Sequence, residues 1–222
     1  MNNLIRERKG MLILSLLVIL LPMGLGLFLW NQLPDQVPIH FGLNGQADNY
    51  AGKAFVVFGL PLLMAALQVL LLVVTMADPK GKNIAAKPFG LLLWICPLVS
   101  LFCGTMTYAK ALALPVDINL VGGLFLGLMF LVVGNYLPKC RRNYTIGIKV
   151  PWALDNEENW NATHRFAGKL WVISGAVIVV LSFLPWAEVV FWVNMAIILI
   201  AAVASGLYSF FYYKKQQREG RW

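Results

Sequence analysis

Two groups of side chains in this chain have residue types that could do chemistry. His40 and Asp48 lie eight residues apart in one polar stretch, and His164 follows the acidic run at 155–158. A histidine beside a carboxylate can serve as a general base or contribute to a metal site. Two ligands without a third do not define a metal site, and no nucleophile accompanies His164. We therefore predict no catalytic residue, no metal site and no cofactor, and we interpret His164 as a packed, hydrogen-bonded residue.

The composition requires a lipid bilayer as solvent for most of the chain. It has 222 residues, of which 59% are hydrophobic and only 13% charged, whereas a soluble domain carries about 25% charged residues. Apolar runs long enough to cross a bilayer as helices cover residues 11–30, 54–77, 89–109, 118–137, 168–184 and 189–213. The sequence thus predicts an all-α polytopic membrane protein with six transmembrane helices, and Pro185 separates the last two.

The basic residues predict the orientation of these helices. The two termini and the even-numbered connections hold 16 of the 18 Lys and Arg residues, and the odd connections hold only Lys53 and Lys110. By the positive-inside rule, both termini are cytoplasmic, the 33–53 loop is extracytoplasmic and the 134–168 segment is cytoplasmic. Because the basic residues flank apolar spans, the net charge of +8 does not indicate direct nucleic-acid binding.

The outer loop at 33–53 has two interpretations. Pro34 and Pro38 oppose a helix, and Asn44-Gly45 is typical of a turn in which both residues can take positive φ. The loop is either a structured cap whose polar side chains satisfy their own backbone or a recognition surface. The candidate ligand-recognition residues are Pro38, His40, Asn44, Gly45, Asp48, Tyr50 and Lys53.

The inner segment at 134–168 is too polar for lipid and too rich in tryptophan for a free linker. Trp152 and Trp160, with Trp171 just beyond, favour packing on a partly dry surface. Residues 155–158 could cap a short helix that runs through Trp160 and His164, which lie four apart and share a face. In the preceding span, Gly123, Gly127 and Gly134 form a strip that allows close approach of another helix.

With these motifs in place, the chain resembles the SdpI family of bacterial membrane proteins. The outer loop is similar to a small domain of unknown function common at the front of those proteins. The inner segment is similar to the family's signature. The matching inner residues are Gly134, Asn135, Pro138, Lys139, Asn143, Gly147, Ile148, Lys149, Pro151, Trp152, Trp160, His164, Arg165 and Gly168.

This resemblance implies an immunity and signalling protein of the bacterial inner membrane, without enzymatic activity. Its implied partners are the lipid bilayer, a secreted antimicrobial peptide met by the outer motif, and a cytoplasmic transcriptional repressor docked by the inner motif. It also implies two regions. Residues 1–80 would form a helical hairpin that carries the 33–53 loop, and residues 81–222 would form a four-helix SdpI-like region with the 134–168 motif.

Two other functions stay open from the residues alone. A transporter for a small molecule, lipid or peptide would need a polar path, but no Asp, Glu, Lys, Arg or His lies at the middle of any predicted span. A membrane-embedded metal-dependent enzyme would have to use His40 with Asp48, or His164 with the acidic run. Metal bound to the purified protein would favour the enzyme.

Overall fold

The computed structural model describes residues 6–221, so residues 1–5 of the predicted 1–80 region, and Trp222, lie outside it. Most of the described chain is helical. The helices are α1 (Lys9–Phe28), α2 (Leu60–Met76), α3 (Ala86–Ala111), α4 (Ile118–Tyr136), the short α5 (Pro151–Asp155), α6 (Glu157–Leu181) and α7 (Ala187–Arg218). A π-helical turn, Phe55–Gly59, leads directly into α2. The strands are β1 (Gln36–Phe41) and β2 (Ala47–Gly52).

Six of these helices are long and apolar enough to cross a membrane, as predicted, once the π-helical turn is joined to α2. The fifth span begins at Glu157, eleven residues before the start predicted from hydropathy. Asn156 explains the difference, because its side chain accepts a hydrogen bond from the Asn159 amide at 2.9 Å and caps the helix. The expected short helix through Trp160 and His164 is therefore the first part of α6 and not a separate element.

The all-α prediction is wrong at the outer loop, which forms an antiparallel β-hairpin of β1 and β2. Pro38 excludes a helix there, and Val37 and Ile39 favour an extended chain. The turn has Gly45 at φ +72°, a conformation that suits glycine. Asn44 does not take positive φ; its Oδ1 accepts a hydrogen bond from the Gln46 amide at 3.0 Å instead.

The described chain divides into two compact units, and the hairpin belongs to the first, residues 6–73 and 90–122. The core of this unit buries Leu33 and Val37 beside the hairpin, Val56 and Val57 at the π-helical turn, and Tyr108 on α3. The Tyr108 hydroxyl donates a hydrogen bond to the carbonyl of Pro22 on α1 at 3.0 Å. The hairpin is thus continuous with a packed core and is not a free loop.

The second unit, residues 74–89 and 123–221, contains the close helix contact that the glycine strip predicted. A Cβ added to Gly134 would lie 2.8 Å from the Val172 amide and 3.0 Å from the Gly168 carbonyl. One added to Gly127 would lie 2.9 Å from the Gly175 carbonyl. Helices α4 and α6 therefore approach each other through their backbones, as small residues allow in membranes.

Candidate functional sites

The hairpin presents an exposed polar pair. Nδ1 of His40 lies 2.5 Å from Oδ1 of Asp48, and the two side chains are 68% and 51% exposed. Tyr50 on β2 is 52% exposed, and Asn44 at the turn is also exposed. Of the seven predicted outer-loop residues, these four are the ones a ligand in solvent can reach directly.

The other three predicted outer-loop residues hold the hairpin in place. Pro38 is buried in β1, and Gly45 supplies the turn. The Lys53 ammonium donates to the Leu33 carbonyl at 3.3 Å, lies 3.3 Å from the Asp35 carboxylate and sits 5.1 Å from the Trp30 ring centroid. Lys53 therefore closes the base of the hairpin. Asn119, which was not predicted as a site residue, donates to the Leu43 carbonyl at 3.3 Å and fastens the tip.

The inner motif is held by a loop that sequence analysis treated only as a connection. Asp78 is buried, and its carboxylate accepts hydrogen bonds from the amides of Lys80 and Tyr144 and from the Thr145 hydroxyl, each at 2.8 Å. Asn83 donates to the Arg142 carbonyl at 3.0 Å. Nothing in the local sequence around Asp78 indicates that its carboxylate reaches residues 66 and 67 positions further along the chain.

Asn143 shapes the chain that follows. It is buried, and its Oδ1 accepts from the amides of Thr145 at 2.8 Å and Ile146 at 2.6 Å. Its Nδ2 donates to the carbonyls of Arg141 at 2.7 Å and Ile146 at 3.0 Å. Four hydrogen bonds from one side chain replace the secondary structure that residues 141–146 lack.

Trp160 and His164 form the core of the inner motif. Both are completely buried, and their rings stack with centroids 4.0 Å apart. Trp160 Nε1 donates to the Cys140 carbonyl at 2.7 Å. His164 Nδ1 donates to the Trp160 carbonyl at 2.8 Å, and its Nε2 accepts the Ile148 amide at 2.9 Å. This pattern requires the neutral tautomer with the proton on Nδ1, and it confirms His164 as a packed, hydrogen-bonded residue.

Gly147 allows the chain to pass over these two rings. Its φ of +124° is one that residues with a side chain rarely adopt, and an added Cβ would lie 3.0 Å from two carbons of the Trp160 ring and closer still to His164 Nε2. Cys140 lies in the same cluster, and burial raises the pKa of its thiol to about 11. Its thiol is thus a neutral packing group at physiological pH.

The predicted inner residues divide by accessibility. Gly134, Asn143, Trp160, His164 and Gly168 are buried, whereas Trp152 is half-buried against Phe210 with ring centroids 5.3 Å apart. The exposed members are Asn135, Pro138, Lys149, Pro151 and Arg165. Lys139 and Arg141 are exposed as well, so the accessible part of the motif is predominantly basic.

Sequence reasoning missed a clamp between the start of α6 and the end of α7. The Glu158 carboxylate accepts hydrogen bonds from the Tyr212 hydroxyl at 2.6 Å, Gln216 Nε2 at 3.0 Å and Arg221 Nη1 at 3.1 Å. The next residue, Asn159, donates from its side chain to the Ser209 carbonyl at 3.0 Å. The partners lie at least 50 positions apart in the chain, so no local sequence pattern predicted these hydrogen bonds.

No group of three His, Cys, Asp or Glu residues within residues 6–221 is arranged to hold a metal ion. Both histidines have their partners in the two clusters already described. The fold and sites define a class of multi-span helical membrane protein with one exposed polar hairpin and one packed, basic polar segment.

Comparison with known proteins shows which families of membrane proteins the chain is similar to. The model of the SdpI/YfhL protein family matches residues 139–212, and that of a domain of unknown function, DUF1648, matches residues 17–65. The chain is 29% identical over 207 residues to "Immunity protein SdpI" of Bacillus subtilis (strain 168), which covers 91% of this chain and 96% of that protein. No solved structure matches the chain. The chain thus carries an SdpI/YfhL family region behind a DUF1648 domain, which confirms the resemblance recognised in its residues.

Proposed function

We propose that this protein is a membrane immunity receptor that protects its cell from a secreted toxic peptide. The observation that carries the proposal is the match, along nearly the whole length of both chains, to a protein named for immunity. The exposed His40–Asp48 pair on the hairpin supports it, because both side chains are accessible to a ligand in solvent. In this proposal the hairpin meets the toxin and the basic face of the inner motif docks a cytoplasmic regulator.

The proposal requires the hairpin to face outside and both termini to face the cytoplasm. The distribution of 16 of 18 basic residues supports this orientation. We expect a reporter fused after Trp222 to report the cytoplasm and one inserted within the 44–49 turn to report the exterior. If either reporter indicated the other side of the membrane, in a strain that inserts the protein at the normal level, the proposed orientation would be contradicted.

Recognition by the hairpin predicts a specific loss of protection. We expect a His40→Ala, Asp48→Ala double variant to lose protection by at least about tenfold in the inhibitory toxin concentration, since a hydrogen bond between the toxin and the Asp48 carboxylate would contribute about 1.5–3 kcal/mol to binding. The toxin is first identified by challenging cells that express the wild-type chain with a panel of secreted antimicrobial peptides. Membrane insertion and thermal stability should be unchanged, because both side chains are mostly exposed.

The matched control is Asn31→Ala, which removes an exposed polar side chain just before the 33–53 loop. It should retain full protection. Full protection by the stably inserted double variant would remove the recognition role from these two residues. Joint loss of stability and protection would assign them to a structural cap.

The regulator-docking part of the proposal rests on charge. Lys149 and Arg165 are exposed, and the structure gives neither an ion pair among the described residues, so an acidic partner surface is the complement. We expect Lys149→Glu with Arg165→Glu to reduce co-purification of a cytoplasmic regulator by about tenfold while protection against the toxin persists. Lys82→Glu, an exposed lysine in the Asp78 loop, is the matched charge control. Equal losses from Lys82→Glu would indicate a general charge effect and contradict a specific docking face.

A further inference from the structure

A polar groove lies within the first unit, between the hairpin and the end of α3. Its volume is about 400 Å³, which is enough for a few amino-acid residues. Gln36, Gln46 and Tyr50 line it from the hairpin, and Lys110, Ala113 and Leu114 line it from the end of α3 and the residues that follow. The groove is separate from the His40–Asp48 pair, because neither residue lines it.

The backbone beside the groove is unusual. Ala113 has φ of +54° and is the one residue other than glycine with positive φ among residues 6–221. The turn ends α3 through hydrogen bonds from the Ala113 amide to the Lys110 carbonyl at 3.1 Å and from the Leu114 amide to the Ala109 carbonyl at 2.9 Å. Glycine is the usual residue at such a turn. Residues other than glycine with positive φ are found more often than average at ligand-binding and active sites.

The charged residues around the groove indicate which kind of ligand is complementary to it. The acidic residues on the hairpin side of this unit already have partners. Asp35 pairs with Lys53, Asp48 pairs with His40, and Asp117 caps α4 by accepting from the amides of Asn119 and Leu120. Lys110 is half-buried and has no anionic partner among the described residues. A half-buried ammonium group in a polar groove is complementary to an anion.

We propose that this groove binds the carboxylate of an extracytoplasmic peptide, with Lys110 as the charge partner. Gln36 and Gln46 each offer an amide that can both donate to and accept from a peptide backbone. Tyr50 offers a large ring with a polar tip, of the kind enriched where peptides are recognised. Paired amides match a peptide better than a lipid phosphate, which only accepts hydrogen bonds. The inference rests on the proposed role as an outward-facing receptor, and it specifies a peptide carboxylate as the group that the receptor binds.

The test uses the full chain in phosphatidylcholine nanodiscs, with lysines dimethylated with ¹³C so that each keeps its charge. Lys110→Arg and Lys53→Arg assign the two NMR signals. The probes are N-acetyl-Gly-Gly-Phe with a free carboxylate and the same tripeptide as its amide. We expect the acid to shift the Lys110 signal saturably and the amide to bind at least about tenfold more weakly. The Lys53 signal should stay in place, because that ammonium is already paired.

Each other outcome overturns the proposal. No response of Lys110 to the acid, or equal responses to acid and amide, means that no carboxylate site exists. If phosphatidylglycerol nanodiscs shift the Lys110 signal and prevent the response to the acid, the occupant is a lipid phosphate. The measurement does not depend on protection. Failure of the immunity assay alone would thus contradict the proposed function, and failure of the NMR titration alone would contradict the carboxylate site.

Discussion

Trp160→Ala should destabilise the protein by about 3–5 kcal/mol, the range for removal of a fully buried tryptophan. Trp160 is 0% exposed and stacks on His164 at 4.0 Å. Its loss also leaves the Cys140 carbonyl without its 2.7 Å hydrogen bond, and leaving a buried acceptor unsatisfied carries a further cost. We expect little folded protein in the membrane, and an unfolding titration in mixed micelles followed by circular dichroism should show the shift.

Trp186→Ala is the matched control, because Trp186 is 63% exposed. It should unfold within about 1 kcal/mol of the wild type, as exposed substitutions usually do. Wild-type stability of Trp160→Ala would show that the inner motif is not held by this ring. In that case the stacking of Trp160 on His164 would contribute little to the stability of the fold.

Gly134→Leu should prevent α4 from packing on α6 and cost about 3 kcal/mol or more, because the obstacle is backbone and cannot rotate away. The first added carbon would already lie 2.8 Å from the Val172 amide nitrogen and 3.0 Å from the Gly168 carbonyl oxygen. We expect the variant to insert into the membrane, since leucine is at least as apolar as glycine, but to be degraded or unfold at much lower denaturant. Pulse-chase half-life and the same unfolding titration would measure this.

The control is Gly122→Leu on the same helix, where an added Cβ meets nothing within 4 Å. That variant should match the wild type or gain up to about 1 kcal/mol from the better helix propensity of leucine. If the two variants behaved alike, the effect at Gly134 would come from composition, and the close approach of α4 and α6 would be contradicted.

The hairpin shows the limit of local information. Pro38, Asn44 and Gly45 correctly excluded a helix and located the turn, yet the pairing of β1 with β2 was not predicted. Strand pairing depends on contacts between residues that lie opposite each other, such as Val37 and Ala51, and on the buried surface beneath them. The preference of either strand alone is weak in a six-residue segment, so the tertiary contacts decide.

The division of site residues also depended on tertiary structure. The signature marked Asn143, Trp160, His164, Lys149 and Arg165 as one inner set, because all five resemble the family at these positions. Only the fold separates them into a buried group that holds the segment and an exposed basic group that a partner can reach. Side-chain burial depends on what packs above each residue, and a linear motif does not contain that information.

The sequence by itself determined the six spans, the glycine contact strip and the packed character of His164. Each depends on a property read within one segment, namely the transfer free energy of an apolar run, the spacing of small residues along a helix, or the absence of a catalytic companion. Only the tertiary structure decided that Asp78 anchors Tyr144 and Thr145 and that Glu158 is clamped by Tyr212. These contacts join residues 54–67 positions apart, and a carboxylate's partner at that range is selected by the packing of the helices that carry it.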